Sequence, residues 1–186
     1  MQKIGKFVVV AVAALSLAAC GQDPKTETAA PPAGPSVPAS SAAPSTQSKG
    51  RECTADDIKT TGKFGEKPEI TIPDDCDPPK KLVTKDLSEG TGDGAQAGQK
   101  LQMNYHLVTW SDKQVLDSSF GQKPFDLVLG AGKVIPGWDQ GLVGIKQGGR
   151  RLLIIPPDLA YREGGNGIKP NETLVFVTDA VSVASA

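Results

Sequence analysis

The segment 133–157 reads KVIPGWDQGLVGIKQGGRRLLIIPP and sets Trp138 between Pro136-Gly137 and Gly141, inside the one short stretch that reads as helical. A helix built only to pack would avoid both glycines, because an interior glycine costs about 1 kcal/mol relative to alanine. The pattern therefore asks for close backbone approach around an aromatic face. Taken alone, Trp138 is as readily a core anchor as a binding surface, since tryptophan is largely buried on average. Other groups able to do chemistry are sparse. Asp117 precedes two serines in VLDSS (115–119) and reads equally well as a turn or cap residue. Tyr161 ends PPDLAY (156–161), where it also reads as a half-exposed packing residue. There is one histidine, His106, and no His/Cys/Asp/Glu cluster at metal-ligand spacing, so no metal is expected. No convincing nucleophile–base–acid triad is present either.

Strands must position these groups. LQMNYHLV (101–108) alternates strictly, with Leu101, Met103, Tyr105 and Leu107 on one face and Gln102, Asn104 and His106 on the other. That second face is polar, so His106 is expected to meet solvent. FDLVLG (125–130) repeats the alternation through Phe125, Leu127 and Leu129. RRLLIIP (150–156) and TLVFVTDAVSV (173–183) are branched apolar runs of strand length, and LVTKDL (82–87) is a fifth candidate. Gly-rich connectors separate them, and only PGWDQGLVG (136–144) suggests a helix. Alternating strands imply an antiparallel sheet with one covered face. The expected fold is α+β, a twisted antiparallel sheet of about five strands around one short helix, carried by residues 80–186. On pattern alone, Tyr105, Phe125 and Phe176 are ordinary core as readily as site residues.

The 186 residues suffice for one domain with appendages. A formal charge of −1, 5% aromatic residues and no Lys/Arg-rich run argue against nucleic acid as a partner. The N-terminus reads as a targeting segment. Lys3 and Lys6 precede the apolar run FVVVAVAALSL (7–17), too short to span a bilayer, which takes roughly 20 residues. LAAC (17–20) then resembles the lipobox of bacterial lipoproteins, which implies removal of 1–19, a lipid on Cys20, and an exported protein anchored to the cell-envelope membrane. An uncleaved anchor or an ordinary secretory signal are the alternatives. Residues 21–50 are rich in Pro, Ala and Ser, with Val37 the one sizeable apolar side chain. Such a stretch buries too little to offset its ordering entropy, so 20–50 is expected to be a disordered tether. It would reach roughly 30 Å as a coil and up to about 90 Å as polyproline II.

Residues 51–79 form an N-terminal arm with two cysteines, Cys53 and Cys76. In an exported chain an even pair favours a disulfide, against the alternative of two free thiols. Closing that loop contributes roughly 3–4 kcal/mol in the chain-entropy model. PEITIP (68–73) between them reads as a short edge or isolated strand bounded by prolines.

From residue 80 onward the order LVTKDLSEGTG (82–92), VLDSS (115–119), KPFDLVLGAGKVIPGWDQGL (123–142), PPDLAY (156–161) and TLVF (173–176) resembles the FKBP-type peptidyl-prolyl cis/trans isomerases. The resemblance implies an apolar pocket between sheet and helix, isomerase activity on X–Pro bonds, and no cofactor. It implies Trp138 as the pocket floor, with Tyr105, Phe125, Val134, Ile135 and Phe176 lining it. It implies that the Ile135 N–H holds the carbonyl after the proline, that the Tyr161 hydroxyl donates to a substrate carbonyl, and that Asp117 sits at the rim. Gly137 would permit close approach at the helix start. The chain departs from the family pattern in places. Leu116 stands at a substrate-binding position where an aromatic residue is common, so one pocket wall is softer, SFGQKP (119–124) is a shortened loop, and Arg162 follows Tyr161 where glycine is usual. REGGNGIKP (162–170) is short too, with Ile168 taking the apolar place at its tip. Expected partners are proline-containing polypeptides and, through the lipid, a membrane, with the protein a monomer. The competing expectation is a tethered, chaperone-like module that grips proline-containing or unfolded segments with little catalysis.

Overall fold

The computed structural model describes residues 48–184. Cys20, the 1–19 segment and nearly all of the 20–50 tether lie outside them. Within them no helix is long and apolar enough to cross a membrane.

The chain folds in the order β1 (Lys59–Thr60), β2 (Ile70–Thr71), β3 (Val83–Ser88), β4 (Lys100–Thr109), β5 (Val115–Ser118), β6 (Phe125–Val128), α1 (Pro136–Gly141), β7 (Arg150–Ile155), a 3-10 turn at Pro157–Leu159, and β8 (Leu174–Val183). The main sheet runs β3-β7-β8-β4-β5, and β6 also pairs with β4. Every pairing is antiparallel. The two ten-residue strands, β4 and β8, form its centre. This is the α+β architecture expected, with a sixth strand. The addition is β5, whose four residues are too short to show a period. It shares one edge of β4 with β6: β5 pairs with 106–108 and β6 with 100–103.

Side-chain alternation sorts the sheet into two cores. Leu101, Met103 and Leu107 of β4, Leu153 and Ile155 of β7, and Leu174 and Phe176 of β8 point toward α1. Val108, Leu152, Ile154, Val175 and Val177 point the other way, against Ile58, Ile72 and the half-cystines Cys53 and Cys76 of the arm. The expectation of one covered face is therefore corrected: the arm covers the second. The continuous apolar run in β7 is its sequence trace, because all six residues are buried and strands covered on both sides lose their alternation. His106, expected in solvent, is 2% exposed. Burial lowers its pKa, and nearby Lys67 adds to the effect. Trp110, at the end of the same strand, is also buried, with the Lys113 ammonium 5.3 Å from its ring centroid.

The arm is fixed by covalent and polar contacts. Cys53 and Cys76 are bonded to each other. Arg150 of β7 and Asp179 of β8, opposite one another, form an ion pair at 2.6 Å with side chains 3% and 0% exposed. The Arg150 guanidinium also donates to the carbonyls of Gly62 (2.8 Å) and Glu66 (2.6 Å), while Asp179 accepts from the Gly65 N–H (2.6 Å). The strand expected at 68–73 shrinks to Ile70–Thr71, paired only with β1 and separate from the main sheet.

Helix α1 is shorter than the expected 136–144. It stops at Gly141, and Gly144 turns the chain away at φ 78°. Pro136 opens the helix, where its missing N–H costs nothing. The two glycines flanking Trp138 now have a reason. A Cβ on Gly137 would collide with the Ile155 side chain, and one on Gly141 would come within 2.9 Å of Leu153 Cδ2. One turn apart, they let the helix lie directly on β7. Arg151 holds the other end, donating to the Gly141 and Val143 carbonyls at 2.9 and 2.8 Å while pairing with Asp86 of β3 at 2.6 Å.

Candidate active site

Helix α1 starts beside a cavity of about 220 Å³ enclosed by Tyr105, Leu107, Asp117, Phe125, Lys133, Val134, Ile135, Trp138, Tyr161 and Phe176. Its floor is Trp138, 4% exposed. Tyr105, Phe125 and Phe176 stand nearly perpendicular to the indole, with ring centroids 5.5, 5.9 and 5.5 Å away and interplanar angles of 78°, 89° and 77°. Edge-on packing of this kind suits the aromatic quadrupole. Three strands thus supply one ring each: β4 gives Tyr105, β6 gives Phe125 and β8 gives Phe176. The fourth ring comes from the helix, and the sheet order makes these elements neighbours.

Polar groups also line this apolar box. The Tyr105 hydroxyl donates to Asp117 Oδ2 at 2.5 Å, and the Ser118 N–H donates to Asp117 Oδ1 at 2.7 Å. Both carboxylate oxygens are therefore oriented. Burial, followed by the hydrogen bond to this carboxylate and its charge, pushes the Tyr105 phenol up to about 12. The phenol stays a neutral donor. The Tyr161 hydroxyl and the Ile135 backbone N–H make no hydrogen bond to protein among the described residues, which leaves both available to a ligand. The segment that carries Ile135 is tied down by Asp139, whose carboxylate accepts the Gly130 and Gly132 N–H groups at 2.8 and 2.9 Å. The Trp138 Nε1–H is buried without a hydrogen-bond partner among the described residues.

Eight residues singled out from the sequence converge on the cavity: Tyr105, Asp117, Phe125, Val134, Ile135, Trp138, Tyr161 and Phe176. Leu116 and Ile168 do not line it. Ile168, 7% exposed, belongs to the buried core cluster, and the partly buried Leu116 packs against it. Sequence reasoning passed over Leu107 and Lys133. Leu107 shares the inward face of β4 with Tyr105, and Lys133 directly precedes Val134, so position alone held the signal.

Comparison with known proteins agrees with this geometry. Residues 92–180 match the family model described as FKBP-type peptidyl-prolyl cis-trans isomerase. An FK506-binding protein of Streptomyces anulatus is 49% identical over 122 residues, covering 63% of this chain and 98% of its own. An FK506-binding protein of Neisseria meningitidis (serogroup A, strain Z2491) is 38% identical over 106 residues, covering 55% of this chain and 95% of its own. Among solved structures, the crystal structure of AtFKBP13 superposes with a TM-score of 0.52 at 33% identity, covering 57% of this chain and 96% of that one. With near-complete relatives matched at such identity, and an aromatic box closed by Trp138 at the head of a single helix, the chain belongs to the FKBP-type peptidyl-prolyl cis-trans isomerases.

Proposed function

We propose that the protein isomerises X–Pro bonds in exported polypeptides, assisting their folding, while tethered to the envelope membrane through lipidated Cys20. The observation that supports this reading best is the four-ring box around Trp138 with one oriented carboxylate on its wall. Rotation about an X–Pro amide faces a barrier of about 18–20 kcal/mol and takes tens to hundreds of seconds uncatalysed. No bond breaks, so neither nucleophile nor cofactor is required. The twisted amide loses resonance and becomes less polar, so a dry apolar cavity favours it over the planar ground states. Binding the twisted state more tightly than either planar form is the whole catalytic effect. In this reading the prolyl ring lies on the indole of Trp138. The Ile135 N–H holds the carbonyl that follows the proline, and the Tyr161 hydroxyl donates to a second carbonyl. Asp117 sets the polarity of the far wall.

The full chain is expected to accelerate cis-to-trans conversion of a short X–Pro peptide, measured by proton-exchange NMR. Asp117→Ala and Tyr161→Phe each remove one polar group and little volume. Each should lower kcat/KM about tenfold, the value of one well-placed hydrogen bond, and leave the melting temperature nearly unchanged. If the folded wild type binds proline peptides without accelerating their isomerisation, the module that grips without catalysis replaces this reading.

The membrane half is tested separately. Cys20→Ser should move the exported protein from the membrane fraction to the soluble fraction, or trap it as precursor. Intact mass spectrometry that finds residues 1–19 still attached to the mature wild type would refute the lipid anchor.

A further inference from the structure

Arg150 joins three parts of the molecule: the sheet, the arm and the loop after β5. Its guanidinium donates to both Asp179 oxygens, at 2.6 and 2.8 Å, and to the Gly62 and Glu66 carbonyls of the arm. Those bonds lie in the guanidinium plane and leave its face. Phe120 takes up that face, with its ring centroid 5.6 Å from Arg150 Cζ, within reach of a cation–π contact. Phe120 is the one large apolar side chain between Leu116 and Phe125, and it lines no wall of the aromatic box. Strand pairing has ended before it, since β5 and β4 stay in register only as far as Ser118 opposite His106. Beyond that point Phe120 is the segment's apolar anchor.

The residues just before Phe120 hold the site in shape. Ser119 caps both backbone groups of Tyr105: its N–H donates to the Tyr105 carbonyl at 3.0 Å, and its hydroxyl oxygen accepts the Tyr105 N–H at 2.9 Å. The Ser118 hydroxyl donates to the same carbonyl at 3.2 Å, and the Ser118 N–H to Asp117 Oδ1 at 2.7 Å. Asp117 in turn accepts the Tyr105 hydroxyl. Hydrogen bonds weaken steeply when distance and angle drift, so all of these depend on where the 117–120 segment lies. We propose that Phe120 is a positioning residue for the isomerase site: stacked on Arg150, it ties the Tyr105–Asp117 wall to the arm. The proposal rests on the isomerase reading above and deepens it. Gly62 and Glu66, which accept two of the bonds that fix Arg150, lie outside the 92–180 stretch that matches the family model. The arm thus stiffens a wall of the site from the opposite face of the sheet. Cys53 and Cys76 take no part in these bonds, so reduction leaves the link in place while the 62–66 loop stays docked.

The test uses the full chain and two readouts. Phe120→Ala should lower kcat for a short X–Pro peptide about fivefold and leave KM within about twofold, the pattern of an interaction made in the transition state. Phe120→Leu keeps apolar bulk without the ring face and should show most of the same loss. Phe120→Trp offers a larger face to the guanidinium and should restore turnover. The second readout is the Tyr105 phenol itself, since the chain has 2 tyrosines, Tyr105 and Tyr161. In a Tyr161→Phe background, a rapid jump to about pH 11, read as tyrosinate absorbance before the fold is lost, reports on Tyr105 alone. A phenol pushed up to about 12 is roughly one-tenth ionised there. Phe120→Ala, by loosening the Asp117 bond, should raise that fraction about threefold or more. Both readouts within about twofold of wild type would make Phe120 a mere cover for Arg150. A change in one readout without the other, or a Phe120→Trp protein as impaired as Phe120→Leu, also overturns the proposal. If Phe120→Ala does not fold, Phe120→Leu decides. If the wild type turns over no peptide, the isomerase reading fails, and the ionised fraction alone decides whether Phe120 positions Tyr105.

Discussion

Arg150→Met should destabilise the folded protein by about 3–5 kcal/mol, the cost of leaving a buried charge unpaired. Asp179 has no exposed surface and would keep only the Gly65 N–H as a close donor. The Gly62 and Glu66 carbonyls would lose their donors in the same step, and unpaired buried acceptors add to the cost. Urea unfolding followed by tryptophan fluorescence measures the loss, since Trp110 and Trp138 lie in the two separate cores. Replacing both members, Arg150→Met with Asp179→Leu, should recover a large part of it, because an apolar pair of similar volume carries no desolvation penalty. A single variant within 1 kcal/mol of wild type, on the scale of a surface pair, would show that the arm needs no ionic anchor. Hydrogen exchange gives a local check. The Gly65 amide should lose protection in Arg150→Met well before the amides of β8 do.

Reducing the Cys53–Cys76 bond should cost about 3 kcal/mol at the bond's sequence separation of 23. The expected result is a lower urea midpoint with little change in activity. The arm packs against Leu152, Ile154, Val175 and Val177, while the pocket rests on the other side of the same strands, on Ile155 and Phe176. As long as the domain stays folded, kcat/KM of the reduced protein should stay within twofold of the oxidised form. Loss of activity well below the unfolding midpoint would mean that the arm reaches the pocket through the sheet. Deleting residues 51–79 is a harsher change than reduction. It would bare the apolar back of β7 and β8 and leave Arg150 without two of its acceptors.

Periodicity carried the outline of the fold. β4, β6, β7 and β8 show as alternating or branched runs, and the glycines on either side of Trp138 mark the helix that must approach a strand closely. The convergence of the pocket residues came from the ordered family motifs, since Tyr105, Phe125 and Phe176 each read as core by pattern alone. Three features were misread for physical reasons. His106 sits on a polar-looking face of β4, and only the arm, remote in sequence, makes that face an interior. The doubly covered sheet left its trace in the unbroken burial of Arg150–Ile155, but a run of apolar residues looks the same in a one-sided strand with an apolar outer face. Leu116 and Ile168, expected in the pocket wall, stand outside the cavity lining and pack with the core, because core and pocket wall ask for the same residue types.

Burial on both sides deprives β7 of the usual device that fixes strand register. In a one-sided sheet, a slip of one residue turns the apolar set toward water and is rejected. Here Leu152 and Ile154 would simply trade places with Leu153 and Ile155, apolar for apolar, and the hydrophobic pattern alone would tolerate the error. The adjacent arginines remove that degeneracy. Arg150 faces Asp179 on the arm side, and Arg151 faces Asp86 and the helix carbonyls on the other. A slip one way puts Gly149 opposite Asp179 and strands a buried carboxylate. A slip the other way brings Arg151 opposite Asp179 and leaves Leu152 where the helix end needs a donor. The two ion pairs thus act as alignment marks, and the placement of α1 over the strand, with Trp138 at its head, inherits its accuracy from them.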